Sequence, residues 1–223
     1  MMKRLLLFIL LTIPFLTQAQ KRNGKAIRYA YVAPSAFSYA GDLGKSFTTY
    51  SAGMQVGVRL NHRKKLNGGI NLLGGYLSTR SNPLETRNNS ANTSFQTSLI
   101  GIGFDLHYSF IKTKTWQVYV SQGFGILRYQ PKDENGNPLQ EQNSTRSANE
   151  TYGNSSAMLP TQVGANYFFK NTMGVGLQIG LLNPQTDYLD NVSLFGNPEN
   201  NDKALSIRLM LIISIFEKEE EEY

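Results

Sequence analysis

Asp105, His107 and Ser109 stand two residues apart, and they are the three side-chain types of a hydrolytic triad. A hydroxyl would attack an acyl carbon, the imidazole would take its proton, and the carboxylate would orient the imidazole. The reaction would be deacylation of a lipid. The spacing argues against it. In an extended chain the three Cα atoms are strung over roughly 13 Å at about 3.3 Å per residue, so the side chains line up and do not converge. The plainer reading makes them polar groups on one face of a strand.

Arg28, Arg59 and Arg208 fall with Asp105 and His107 on the same predicted face. Charges enclosed there are costly unless paired and hydrogen-bonded. Asp105 is therefore expected to pair with Arg59 or Arg28 in a polar plug. Asp187 and Asp190, with Asp202, are placed to bind a divalent cation or to bridge lipid phosphates through one, although solvated loop acids read the same way. Arg128 suits direct contact with a lipid phosphate, or simple snorkelling to the membrane rim. The run Asp133-Glu134-Asn135-Gly136-Asn137 has calcium-type ligands in the wrong order for an EF-hand, and Asn-Gly ahead of Pro138 is a turn signal. With no cysteine in the chain there is no disulfide, no thiolate metal site and no lipoprotein acylation site. No motif implies a cofactor.

These residues sit in segments that alternate with period two. Ala52, Met54, Val56, Val58 and Leu60 face one way, and Gly53, Gln55, Gly57 and Arg59 the other. Residues 99–110 and 205–215 repeat the pattern, and 26–38, 66–78, 116–128, 159–168 and 173–182 carry weaker versions. Each of the eight has the length a tilted strand needs to cross a bilayer. Short connections (61–65, 112–115, 170–172) alternate with long ones (39–49, 79–94, 130–158, 183–203). The short ones hold Arg63, Lys64, Lys65, Lys112, Lys114 and Lys170 and no acid, while the long ones hold ten acids against six Lys or Arg. Aromatics gather near predicted strand ends, with Tyr29, Tyr108, Phe110, Trp116, Tyr167 and Phe216 at one end and Phe37, Tyr50 and Tyr76 at the other. Two such girdles are expected where rings meet both membrane interfaces.

The N-terminus reads as an export signal: a basic start, an apolar stretch from Leu5 to Leu16 too short to span a membrane, and Thr17-Gln18-Ala19 for cleavage. Residues 1–19 are thus a predicted signal peptide, 20–216 a barrel and 217–223 an acidic tail in the periplasm. The formal charge of +6 falls to +4 without Lys3 and Arg4. For an exported barrel a basic balance does not point to nucleic acid.

With Gly41-Asp42-Leu43-Gly44 after the first strand and Thr186-Asp187-Tyr188-Leu189-Asp190-Asn191-Val192-Ser193 in the last loop, the chain resembles the small eight-stranded outer-membrane barrels of the OmpA transmembrane-domain and OmpX type. The resemblance implies an all-β, antiparallel up-and-down barrel in the outer membrane, with short periplasmic turns, long outer loops and both termini in the periplasm. It implies contact with outer-membrane lipids and lipopolysaccharide, and insertion by the assembly machinery, which reads a terminal aromatic; Phe216 holds that place, ahead of the acidic tail. The expected role is structural or recognition through the outer loops, without catalysis. A lipid-modifying enzyme and a transporter of small apolar compounds are the alternatives.

Overall fold

A computed structural model describes residues 28–43, 47–60, 65–80, 94–133, 135–141, 153–169, 173–192 and 201–215. All lie within the compact unit Ile27–Phe216. The signal segment, Phe216 and the acidic tail fall outside the described residues.

Nine strands form one sheet: β1 (Arg28–Ala40), β2 (Tyr50–Leu60), β3 (Leu66–Arg80), β4 (Ser94–Lys112), β5 (Trp116–Lys132), β6 (Ser155–Met158), β7 (Thr161–Phe168), β8 (Met173–Leu181) and β9 (Lys203–Ile215). Each pairs antiparallel with its neighbours in chain order, except that β5 pairs with both β6 and β7, and β1 pairs with β9 to close the ring. Gln122 lies opposite Thr161 and Gly125 opposite Met158, which is one continuous register. β6 and β7 are therefore one barrel strand interrupted at Leu159-Pro160, and the barrel has eight strand positions. Pro160 has no N–H to give a ladder, yet its carbonyl still accepts from Gly123 N at 2.7 Å. Closure leaves no strand edge exposed along the ring, the condition for a sheet to stand in lipid. Among the described residues no helix is long and apolar enough to cross a membrane.

The strand-long alternation decides which side chains face out. Met54, Val56, Ile102, Leu209 and Leu211 are exposed on the outer wall, and Phe104 stacks there against Phe124 at 5.8 Å. The opposite set is buried inside. Two sequence expectations need correction. Tyr29 and Phe37 are fully buried in the lumen, not in a girdle; in β1 the inward positions are the odd-numbered ones, Tyr29, Tyr31, Ala33, Ser35, Phe37 and Tyr39. Arg28, assigned above to the luminal face, has its side chain outside the described structure. The expected loop 130–158 is also shorter, because β5 runs on to Lys132 and β6 lies within it. Ser155-Ser156-Ala157-Met158 is too short and too small in its side chains to betray a strand by alternation. Tyr108, Phe110 and Trp116 at the short-turn end, and Tyr50 and Tyr76 at the long-loop end, do stand on the outer wall.

Candidate functional site

The lumen holds a polar hub, packed toward the short turns against a small buried cluster of Tyr29, Tyr31, Met210 and Ile212, and an apolar layer toward the long loops. Toward the short-turn end, Arg59 and Arg208 project inward from β2 and β9 and are almost completely buried. Both converge on one oxygen. Gln178 Oε1, from β8, accepts from Arg208 Nη2 at 2.6 Å, Arg208 Nε at 3.1 Å, Arg59 Nη2 at 3.0 Å and the Tyr119 hydroxyl at 2.8 Å. Arg208 Nη1 also donates to Gln55 Oε1 at 2.6 Å and to the Tyr31 hydroxyl at 3.2 Å, and Nη2 to Gln162 Oε1 at 3.3 Å. Arg59 Nη2 donates to the Tyr119 hydroxyl at 2.6 Å, and its Cζ lies 4.2 Å from the centre of that ring. The guanidinium charges are thus spread over amide and phenol oxygens and over ring faces, whose quadrupoles attract cations.

Asp105 takes no part in an ion pair with Arg59, one of the two partners expected from sequence; the side chain of Arg28, the other, lies outside the described structure. Asp105 Oδ2 accepts from Asn71 Nδ2 at 2.6 Å. Gly123, directly opposite on β5, leaves the space for it: a Cβ there would sit 2.2 Å from Asp105 Oδ1. His107 is buried edge-on to Tyr119, with ring centres 5.2 Å apart, and neither ring nitrogen has a hydrogen-bond partner. Ser109 Oγ accepts from Gln117 Nε2 at 2.7 Å. The three triad-type residues therefore face the lumen, each with its own surroundings, and no relay links them. Sequence reasoning missed the hub itself. Gln55, Gln162 and Gln178 on the inward parity of apolar strands were the available signal.

Toward the long-loop end the filling turns apolar. Phe37, Leu73, Leu77, Leu99, Leu127 and Met158 form one buried cluster with loop residues Leu43, Leu139, Leu189 and Val192. The last loop supplies the lid. Thr97 Oγ1 on β4 donates to the Leu189 carbonyl, and the Tyr129 hydroxyl on β5 lies 3.1 Å from Thr186 Oγ1. Asn183 and Asn191 take positive φ where the chain leaves β8 and turns back, a conformation asparagine tolerates. Above Tyr39, the single phenol oxygen lies 2.7 Å from both Asp190 Oδ2 and Asp202 Oδ1. Asp190 also accepts from Leu43 N at 3.2 Å and Val192 N at 2.9 Å, and Asp202 from Leu189 N at 2.8 Å.

Asp190, a candidate for cation or lipid-phosphate contact, is therefore buried with both oxygens engaged inside the cap. Asp187 lies beside it in the same loop, partly buried. Among the described residues no three His, Cys, Asp or Glu side chains converge to hold a metal. Arg128 sits on the exposed outer wall near the loop end of β5, opposite Ser155. Asp133 closes a turn: its carboxylate accepts from Asn135 N, Asn137 N and Asn137 Nδ2. The Asn137 side chain, first among these, draws its pKa below the ordinary carboxylate value. A notch of about 480 Å³ opens on the outer wall beside the Pro160 break, lined by Gln122, Thr161, Asn183, Gln185 and Lys203 among others.

A closed antiparallel barrel, apolar outside and filled inside, defines a small integral outer-membrane barrel. The chain belongs to the outer membrane protein β-barrel domain family, whose model matches residues 6–211. No curated protein matches it in sequence. Among solved structures, Neisserial surface protein A is 12% identical, with 86% of this chain and 100% of that one covered and a TM-score of 0.51. Ail, the attachment invasion locus protein of Yersinia pestis, solved with the heparin analogue sucrose octasulfate, is 10% identical over 87% of this chain and all of its own, with a TM-score of 0.47. The N-terminal β-barrel domain of Pseudomonas aeruginosa OprF is 10% identical over 83% and 97%, with a TM-score of 0.41.

Proposed function

We propose that this outer-membrane barrel is a non-enzymatic envelope protein that presents its long-loop end for structural or recognition contacts outside the cell. The observation that carries this reading is the doubly filled lumen. A general pore needs a water path, and here guanidinium, glutamine and tyrosine side chains occupy one half of the barrel and leucine and phenylalanine the other. An eight-stranded barrel is narrow enough for side chains to fill it. The same filling disfavours an apolar-compound transporter. A lipid enzyme would need its reactive groups on the lipid side, whereas Asp105, His107 and Ser109 face inward.

In this reading residues 1–19 are removed on export, the short basic turns and both termini lie in the periplasm, and the acidic tail is solvated there. Arg128 meets lipid phosphates at the outer rim. Reconstitution into planar bilayers tests the central point: no stepwise ion conductance is expected, and a sustained open-channel current would overturn it. Replacing His107 by Ala should leave any phospholipase activity of the purified barrel unchanged; its complete loss would restore the enzyme.

A further inference from the structure

The contact between Tyr39 and the two loop acids has a proton count that does not close with all three groups in their ordinary neutral-pH states. The phenol has one hydrogen, yet its oxygen lies 2.7 Å from a carboxylate oxygen on each side. Two ionised carboxylates cannot both accept one proton, and oxygens at that distance without a hydrogen between them repel. A second proton on one of the acids completes the chain. Asp190 already accepts two backbone N–H groups, which favours its charged form, and Asp202 accepts one. The hydrogen therefore belongs on Asp202 Oδ1, donating to the phenol oxygen, while the phenol donates to Asp190 Oδ2.

The three residues tie together parts of the chain far apart in sequence. Tyr39 is on β1, Asp190 is in the last loop, and Asp202 stands at the foot of β9. The backbone amides these acids hold belong to Leu43 of the first loop and to Leu189 and Val192 of the lid, all three in the buried apolar cluster. Removing the shared proton places two negative charges against one phenol oxygen within a buried site. We propose that the Tyr39–Asp190–Asp202 junction is a proton-operated latch, holding residues 186–192 down over the lumen in acid and releasing them as the pH rises.

The surrounding charges act in the same direction. Burial first, then the carboxylates of Asp42 from the first loop for Asp190 and of Asp190 and Asp187 for Asp202, raise both acids above the ordinary range. From β5, Tyr129 reaches Thr186 in the lid, β4 contributes the uncharged Phe95 against Tyr39, and Lys203 is exposed on the outer wall. An acid whose folded pKa is raised lends its full stabilisation below the unfolded value, about 4, and loses it as pH climbs toward the raised value. The closed lid is thus the acid form, and each proton released on opening changes the open population by up to about tenfold per pH unit.

The latch deepens the proposed loop-end role, and its significance for recognition rests on that reading. The test is amide hydrogen exchange on the full-length folded barrel, with rates corrected for the intrinsic effect of pH. Protection of residues 186–192 should fall at least roughly tenfold between about pH 5 and about pH 9, while β4 stays constant. Asp202→Asn, which keeps a donor toward the phenol, should hold the lid closed across the range, and Tyr39→Phe should loosen it even in acid. Equal wild-type protection at both pH values would overturn the latch, as would an Asp202→Asn lid with the wild-type slope. Heat-modifiability gels establish that each variant is folded; if neither folds, the wild-type profile alone decides. A lid that opens on schedule in a protein whose loops bind nothing leaves the latch standing and removes the recognition role.

Discussion

The two halves of the lumen are built to different rules inside one barrel: only the short-turn half carries a buried guanidinium hub. Toward the short turns, a few directional bonds gathered on Gln178, each with a specified geometry, stand over a small apolar cluster of Tyr29, Tyr31, Met210 and Ile212. Near the long loops cohesion comes from apolar contact among Phe37, Leu99, Leu127 and Leu189, with a polar clasp only at the top. The difference is one of tolerance. A directional network leaves stranded donors and acceptors when one member is lost, whereas an apolar layer loses contact area and partly collapses around the gap. The first suits a permanent plug, and the second suits a surface whose lid has to move.

The sharpest way to break this contrast is Arg208→Ala. It leaves Gln55 Oε1 without a donor, takes two of the four donors from Gln178 Oε1 and empties the space of a buried side chain, and should cost at least about 3 kcal/mol. Urea unfolding in lipid vesicles, read by fluorescence of Trp116, the chain's one tryptophan, measures it. Leu127→Ala in the apolar half should cost about 2–4 kcal/mol in the same assay, with its lid still protected from exchange. Leu189→Ala should separate lid from barrel: local protection of residues 186–192 falls by the equivalent of about 1–2 kcal/mol, and the unfolding midpoint hardly moves. If Leu189→Ala instead lowers global stability as much as Leu127→Ala, the lid is part of the barrel's cohesion and the contrast fails. Smallest is Gln122→Leu on the outer wall, which exchanges a polar pair with the Thr161 hydroxyl at 2.8 Å for apolar contact. The unfolding free energy should change by less than about 1 kcal/mol.

The barrel was legible because its alternation is written over whole strands. Met54 to Leu60 and Leu205 to Ile215 reveal their outward faces without reference to anything else. Arg59 and Asp105 could be placed inside for the same reason, but not matched. Pairing across a lumen depends on strand register and stagger, which period-two alternation leaves free, so the guanidinium partners turned out to be Tyr119 and Gln178. Tyr29 misled because an aromatic near a strand end suits both a girdle and a buried stack, and only the parity of β1 separates them. The Tyr39 clasp was hidden most deeply, since Asp190 and Asp202 read as solvated loop acids until the loop is seen to fold inward.

The wall of this barrel is not level. Measured from the pair Trp116 and Tyr167, β5 climbs sixteen residues to Lys132, whereas β8, starting from Val175 opposite Tyr167, climbs six to Leu181. At about 3.3 Å per residue the ten-residue difference is roughly 33 Å of extended chain. β5 therefore stands as a palisade and β8 as a threshold. A large body approaching this end along the membrane plane meets a parapet from one direction and a doorstep from the other.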